Sequence, residues 1–309
     1  MTETRIEREC WTAADWRERA ARHFERARRF TGPARERRER GIPHPTMDFL
    51  FEYYAFSFSL LERWHPGPGV ALDWLPRDGE PEFPAGFSNR WYRVENGRVF
   101  ADPCRLGEKE THRLEWIAEL LDATAGRTPN FACHGLHEWA MVYQGVAVRH
   151  GHTLELRLPQ ADIDAVVESR PVCCSHFDAF RFFAPAARPR NLLQPTLEDR
   201  ILLEQPACLH ANMDLFKWAA KAMPWAGSDL LMDCFELAVQ LRDLDMRASP
   251  YDLRAYGREP VRVETAEGRR QYEAEQRDLA ALAAPLRQRL TTAIRATITR
   301  ARAGQRSMT

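Results

Sequence analysis

The sequence predicts a mainly α-helical single domain with a small β-hairpin, with an α+β arrangement as the alternative. Three observations carry this reading. Apolar residues recur at steps of three and four, as in Trp16, Ala20, Phe24 and Ala27 and again in Leu230, Cys234, Leu237, Leu241 and Leu244. That spacing puts them on one face of a helix. Strand-like patterning is confined to residues 70–105 and 153–158. Within it, Asn96-Gly97 separates Trp91-Tyr-Arg-Val94 from Arg98-Val-Phe100, the signature of a two-residue hairpin turn. The 309 residues suffice for a sizeable core. They divide into an arginine-rich N-terminal helical extension (1–42), a helical core carrying the chemistry (43–260) and a long charged C-terminal helix packing on it (261–309).

Trp11 to Arg40 reads as helix, broken near Gly32-Pro33. Its arginines could track phosphates, but Glu18, Glu25, Glu36 and Glu39 are interleaved and favour a salt-bridged, solvated face. Thr46 then caps an aromatic helix through Phe49-Leu-Phe-Glu-Tyr-Tyr-Ala-Phe-Ser-Phe58, which Trp64-His-Pro-Gly-Pro-Gly69 ends. Asp48 and Glu52 share a face of it. After the hairpin, Glu108 to Ala123 forms a helix with Leu114, Ile117, Leu120 and Leu121 inward. Trp139 to Tyr143 continues helically, Thr153 to Leu158 alternates as a strand, and Ala161 to Glu168 makes a short helix. Residues 184–206 are proline-rich and irregular. Asp214 to Lys221 is helical up to Pro224, and Ser228 caps a helix to about Met246. Glu264 to Arg302 is helical, with a kink or a break at Pro285.

Formal net charge is zero, so bulk electrostatics give no reason to expect a nucleic acid, although DNA stays possible; no run approaches the ~20 apolar residues of a membrane span. Almost all basic residues are arginine; the lysines are Lys109, Lys217 and Lys221. Seven cysteines, an odd number without the spacing of a secreted scaffold, point to free thiols in a reducing cytoplasm.

The chemistry gathers between Asn130 and Met246. Phe131-Ala-Cys-His-Gly-Leu-His-Glu-Trp139, Cys173-Cys-Ser-His-Phe-Asp178 and Cys208-Leu-His-Ala-Asn-Met-Asp214 each set a cysteine shortly before a histidine and a carboxylate shortly after it. Histidine and carboxylate bind metals and move protons. Convergence of the three segments would supply His137, His176 and His210 as ligands of one divalent transition metal (Fe, Mn or Zn), with Glu138, Asp178 and Asp214 as catalytic carboxylates. No nucleotide-cofactor motif is present. Trp139, Phe177, Phe180, Lys217, Arg247 and Tyr251 would line a substrate pocket. His44, Asp48, Glu52, His134, Cys174 and Cys208 would support it or substitute for its members, although the cysteines fit better as small core hydrophobes. Without a metal, the same residues make an acid–base pocket in which a flipped nucleobase stacks on rings.

His44-Pro45 with Asp48-Phe-Leu50, Arg63-Trp-His-Pro-Gly67, Leu136-His-Glu-Trp-Ala-Met141, Ser175-His-Phe-Asp-Ala-Phe-Arg-Phe-Phe183, Cys208-Leu-His210 with Met213-Asp214, and Leu244-Asp-Met-Arg-Ala-Ser-Pro-Tyr-Asp252 form a set of landmarks. On these the chain resembles a bacterial family, frequent in actinobacteria, usually labelled 3-methyladenine DNA glycosylase. The resemblance spans roughly residues 43–285 and implies a hydrolase releasing alkylated purines. It carries over no catalytic residue: the chain has neither the hairpin and aspartate of helix-hairpin-helix glycosylases nor the zinc pattern of the small 3-methyladenine enzymes. Three readings follow: metal-dependent chemistry on a small organic or nucleobase-like substrate, a glycosylase-like hydrolase, and a non-enzymatic helical module binding through the arginine-rich N-terminus.

Overall fold

In the computed structural model, which describes residues 8–76, 81–145 and 154–306, helices dominate and one small sheet flanks them. The chain enters through β1 (Glu9–Trp11) and α1 (Ala13–Arg40). Thr12 caps α1 by accepting from the Asp15 amide at 3.2 Å, and Gly41, at φ 66°, closes it. The expected break at Gly32-Pro33 is absent; α1 runs through it. The reason is tertiary: Glu62 accepts from Thr31 (2.6 Å) and from Arg35 (3.1 and 3.2 Å), fastening the helix on both sides of the proline. Trp16, His23, Ala27, Thr31 and Ala34 are the buried face, whereas Phe24 of the expected stripe is exposed. Arg26 reaches Asp233 and Glu236, both at 2.8 Å, so α1 is fastened to the centre of the fold and its apolar residues join the main core.

The aromatic run is also rearranged. Asp48, not Thr46, precedes α2 (Phe49–Tyr53), and Ala55 at φ 53° separates it from α3 (Phe58–Glu62). A straight helix would point rings to all sides. The bend instead sets Phe51 against Phe58 and Phe235, and Tyr54 and Phe56 against Phe216.

The hairpin forms as expected: β3 (Tyr92–Glu95) and β4 (Arg98–Ala101) pair across Asn96 and Gly97, both at positive φ. It belongs to a wider sheet of order β1-β2-β4-β3, in which β2 (Val70–Asp73) pairs parallel with β1 and antiparallel with β4. Of the strand expected over 153–158, Thr153 lies outside the described residues and only Leu156 makes a bridge, to Tyr251. Its neighbour is the 250–252 loop, which offers two backbone hydrogen bonds and no further strand.

α4 (Glu108–Ala125), α5 (Leu136–Met141) and α6 (Gln160–Glu168) follow, then the short α7 (Phe177–Phe180) and α8 (Arg200–Leu203). The centre of the molecule is the pair α9 (Leu209–Lys221) and α10 (Ser228–Arg247), both largely buried. Ser228 does not cap α10. Its hydroxyl donates to the Arg63 carbonyl at 3.1 Å and accepts from the His65 amide at 2.9 Å, while Gly227 holds the cap position at φ 75°. α11 (Ala266–Arg306) is one continuous helix through Pro285, lying on α4, α9 and α10. No helix among the described residues is long and apolar enough to cross a membrane.

Candidate functional site

The three histidines converge, but into two groups. On α5, His137 is buried because its neighbours Leu136, Trp139 and Ala140 are core residues. Its Nε2 lies 2.7 Å from Oδ1 of Asp245 on α10, and its Nδ1 lies 3.5 Å from Sγ of Cys133 on the preceding turn. Arg242, one helical turn before Asp245, donates to its other oxygen at 2.6 Å and to Glu138 at 3.0 Å. The guanidinium also sits 3.7 Å above the ring of Phe49. His210, at the start of α9, stands edge-on to His137 with ring centroids 4.6 Å apart.

Electrostatics drive the two rings apart. Burial opposes charge on His137, but the Asp245 carboxylate outweighs it and holds the imidazolium well above its ordinary range. Asp245 itself is pulled down by His137 against the cost of burial. His210, partly buried, has no carboxylate of its own; burial and the neighbouring His137 push it down to about 3. At neutral pH the site therefore holds one imidazolium and one neutral imidazole in contact, the separation of roles seen in acid–base sites.

The second group surrounds Arg200. Its guanidinium donates to Glu204 (2.7 Å) and Asp214 (2.6 Å) and lies 3.4 Å from Asp178. Lys217 bonds Asp214 at 2.9 Å and Asp178 at 3.1 Å. His176 Nε2 lies 3.4 Å from both Glu204 and Asp214. Tyr54 donates to Asp214 at 2.8 Å, and burial together with that carboxylate raises its phenol well above the usual value. Asp214 stays ionised against burial because Lys217, His176 and Arg200 surround it.

Both groups have the composition and closeness to hold a metal ion: His137, His210 and Asp245 in one, His176, Glu204 and Asp214 in the other, with the donor atoms of each within 4.8 Å of one another. Their fit to a metal differs. In the second group Arg200 already provides the cation between the carboxylates, so a metal would have to displace a buried guanidinium. The first group offers two imidazoles and a carboxylate, a donor set that suits iron, manganese or zinc.

A cleft of ≈ 10 Å³, room for about one water molecule, opens over the first group. Cys133, His137, His210, Cys173, Cys208 and Tyr272 are among the residues lining it. A larger cavity, ≈ 770 Å³, is on the opposite side of α10, against Val239, Gln240, Asp243, Leu244 and Arg247. It touches neither group.

The remaining expected residues are dispersed. Trp139 is fully buried and donates to the Ala248 carbonyl at 2.8 Å, and Phe180 packs on Phe183. Phe177 is partly buried at the start of α7. Arg247 is clamped by Glu275 at the large cavity, and Tyr251 is buried at its bridge to Leu156. His44 accepts two amides of its own turn; Asp48 binds Arg37 and the His44 amide; Glu52 is exposed. His134 lies 3.8 Å from Glu273. Cys174 donates to the His176 carbonyl, and Cys208 occupies the cap position of α9 and lines the cleft. Sequence reasoning placed Cys133 in the first motif without giving it a role and missed Arg200, Glu204, Arg242 and Asp245. The last had a legible signal: beside Leu241 and Leu244, it puts an acid on the apolar face of α10.

No family model, curated protein or solved structure matches this chain.

Proposed function

We propose that the chain is an enzyme that uses Cys133 as a nucleophile on a small electrophile. One observation carries the reading: the His137 ring bridges the Cys133 sulfur at 3.5 Å and the Asp245 carboxylate at 2.7 Å. With Nε2–H donated to Asp245, the second proton of the imidazolium sits on Nδ1 and faces the Cys133 sulfur, which pairs with it as the thiolate. Asp245 stabilises the imidazolium, and Arg242 fixes Asp245. The thiolate Sγ attacks the electrophile, and Nδ1 gives its proton to the leaving group.

Methyl iodide, a one-carbon electrophile, tests this. Its carbon bonds to Sγ of the thiolate and iodide leaves, while His137 keeps its proton. We expect Cys133 to be alkylated first, with the fast phase absent in Cys133→Ala and slowed about 100-fold in His137→Asn, the scale of one positioned acid–base group. Alkylation of Cys133 no faster than in the unfolded chain overturns the reading.

A second reading rests on the donors of the first group: His137, His210 and Asp245 hold one divalent transition metal, which when bound supplies Lewis-acid or redox chemistry. In that reading Cys133 orients His137 from its far nitrogen. Asp245 already meets His137 and Arg242 at hydrogen-bond lengths, which favours the thiol reading. Elemental analysis separates the two: about one equivalent of metal, lost in His137→Ala and His210→Ala and retained in His176→Ala, supports the metal. The purine-releasing activity implied by the resemblance requires a base-sized pocket at the acid–base group, and the cleft at His137 has ≈ 10 Å³. A nucleic-acid module built on α1 is disfavoured because Arg26, Arg35 and Arg37 are engaged by carboxylates.

A further inference from the structure

The cleft beside Cys133 restricts its substrate. It holds about one water molecule, so the electrophile that reaches the sulfur with the cleft closed is close to that size. Three other thiols, Cys173, Cys174 and Cys208, line the same cleft. None of the seven cysteines is in a disulfide. Gln276 also lines it; its Nε2 donates to the Ala207 carbonyl at 2.6 Å, while its Oε1 is buried without a partner among the described residues. An unpaired buried acceptor is costly, and a small O–H donor in the cleft would satisfy it.

We infer that the cleft is a hydrogen peroxide site and that Cys133 reduces the peroxide with a second cleft thiol as its partner, an inference that rests on the thiol reading above. Hydrogen peroxide is nearly as small as water and carries two O–H donors, one of which Gln276 Oε1 can accept. Sγ of Cys133 attacks one peroxide oxygen and the O–O bond breaks. The Nδ1 proton of the His137 imidazolium goes to the departing hydroxide, leaving water and a sulfenic acid on Cys133. A second cleft thiol then attacks that sulfur, the S–O bond breaks, and a second water leaves with the disulfide formed. Two thiols have been oxidised and one peroxide reduced to two waters. A thiol reductant from solution regenerates the pair by exchange.

The test uses the full chain, reduced and freed of reductant, treated with hydrogen peroxide and followed by intact mass and peptide mapping. The expected result is loss of two hydrogens, with Cys133 linked to Cys173, Cys174 or Cys208. Its rate should be about 100-fold above that of the same thiols in the urea-unfolded chain. Cumene hydroperoxide, too large for the cleft, should show no such acceleration. In Cys133→Ser, with folding checked by its melting temperature, the fast oxidation should vanish. In the Cys173→Ser/Cys174→Ser/Cys208→Ser variant, dimedone added together with urea after the peroxide, so that unfolding opens the cleft, should trap the sulfenic acid on Cys133. Selective alkylation of Cys133 without accelerated oxidation would sink this inference and leave the thiol reading standing. Absence of both would sink the two together. Equal acceleration by the bulky peroxide would overturn the size argument.

Discussion

The two buried groups lie side by side, the rings of His176 and His210 being 5.5 Å apart, and they are built from the same kinds of residue. Where the cation stands separates them. Arg242 is behind Asp245, on the side away from His137, so the imidazole keeps one nitrogen for the cleft. Arg200 stands among its carboxylates, Lys217 shares with it one oxygen of Asp178 and one of Asp214, and Tyr54 takes the other oxygen of Asp214. The first arrangement polarises a histidine toward a thiol. The second is a closed network, with Arg200, Glu204, Asp214 and His176 all buried. On our proposal, similar side chains thus make a reactive group in one place and a structural one in the other, according to where the guanidinium meets the carboxylate.

Removing a cation from each group tests this contrast most severely. Arg200→Gln leaves Glu204 and Asp214 buried with fewer partners and should cost about 3–5 kcal/mol in urea unfolding, with the alkylation rate of Cys133 in the folded fraction nearly unchanged. Arg242→Gln should carry a comparable stability cost and also slow that alkylation, because it loosens Asp245 and through it His137. Equal loss of thiol reactivity in both variants would erase the distinction.

A smaller effect concerns His210. In the unfolded chain it takes up a proton near its ordinary value of 6.5, but in the fold not until about 3. The unfolded state therefore binds more protons over that window, and stability falls as pH drops through it. His210→Gln should remove about 1–2 kcal/mol of the stability lost between pH 7 and 5, as one ionisation shifted across that interval gives. His65, lowered to about 4 by burial, Arg63 and His23, titrates in the same direction and leaves a residual slope in the variant. An unchanged acid slope would show that His210 is protonated in the fold. Smallest of all, Tyr54→Phe removes the hydroxyl bonded to Asp214 and should cost about 1 kcal/mol by the same unfolding measurement. Here too Cys133 should react as before, since the second group does not serve the thiol.

The main helices and the hairpin were legible because their signals are local. The steps of α10 and the Asn96-Gly97 turn need nothing from the rest of the chain. Signals that failed were overridden from a distance: Glu62 holds α1 together across Pro33, and the rings of Phe216 and Phe235 decide where the aromatic run bends. β1, three residues long, has no pattern of its own and exists because β2 pairs with it. The site was readable as residue types and not as groupings. His137, His176 and His210 stand out by spacing, but nothing near them in sequence says that Asp245 pairs with the first and Glu204 and Asp214 flank the second. Arginine is so common in this chain that Arg200 and Arg242 could not be told from surface residues.

α11 closes the cleft late. Cys133 sits on the turn before α5, whereas Tyr272 and Gln276, which wall the same cleft, belong to α11. During synthesis the thiol leaves the ribosome well before this cover, and Asp245 is also still to come. On the proposed reading a nascent chain carries Cys133 as an ordinary thiol until α11 docks.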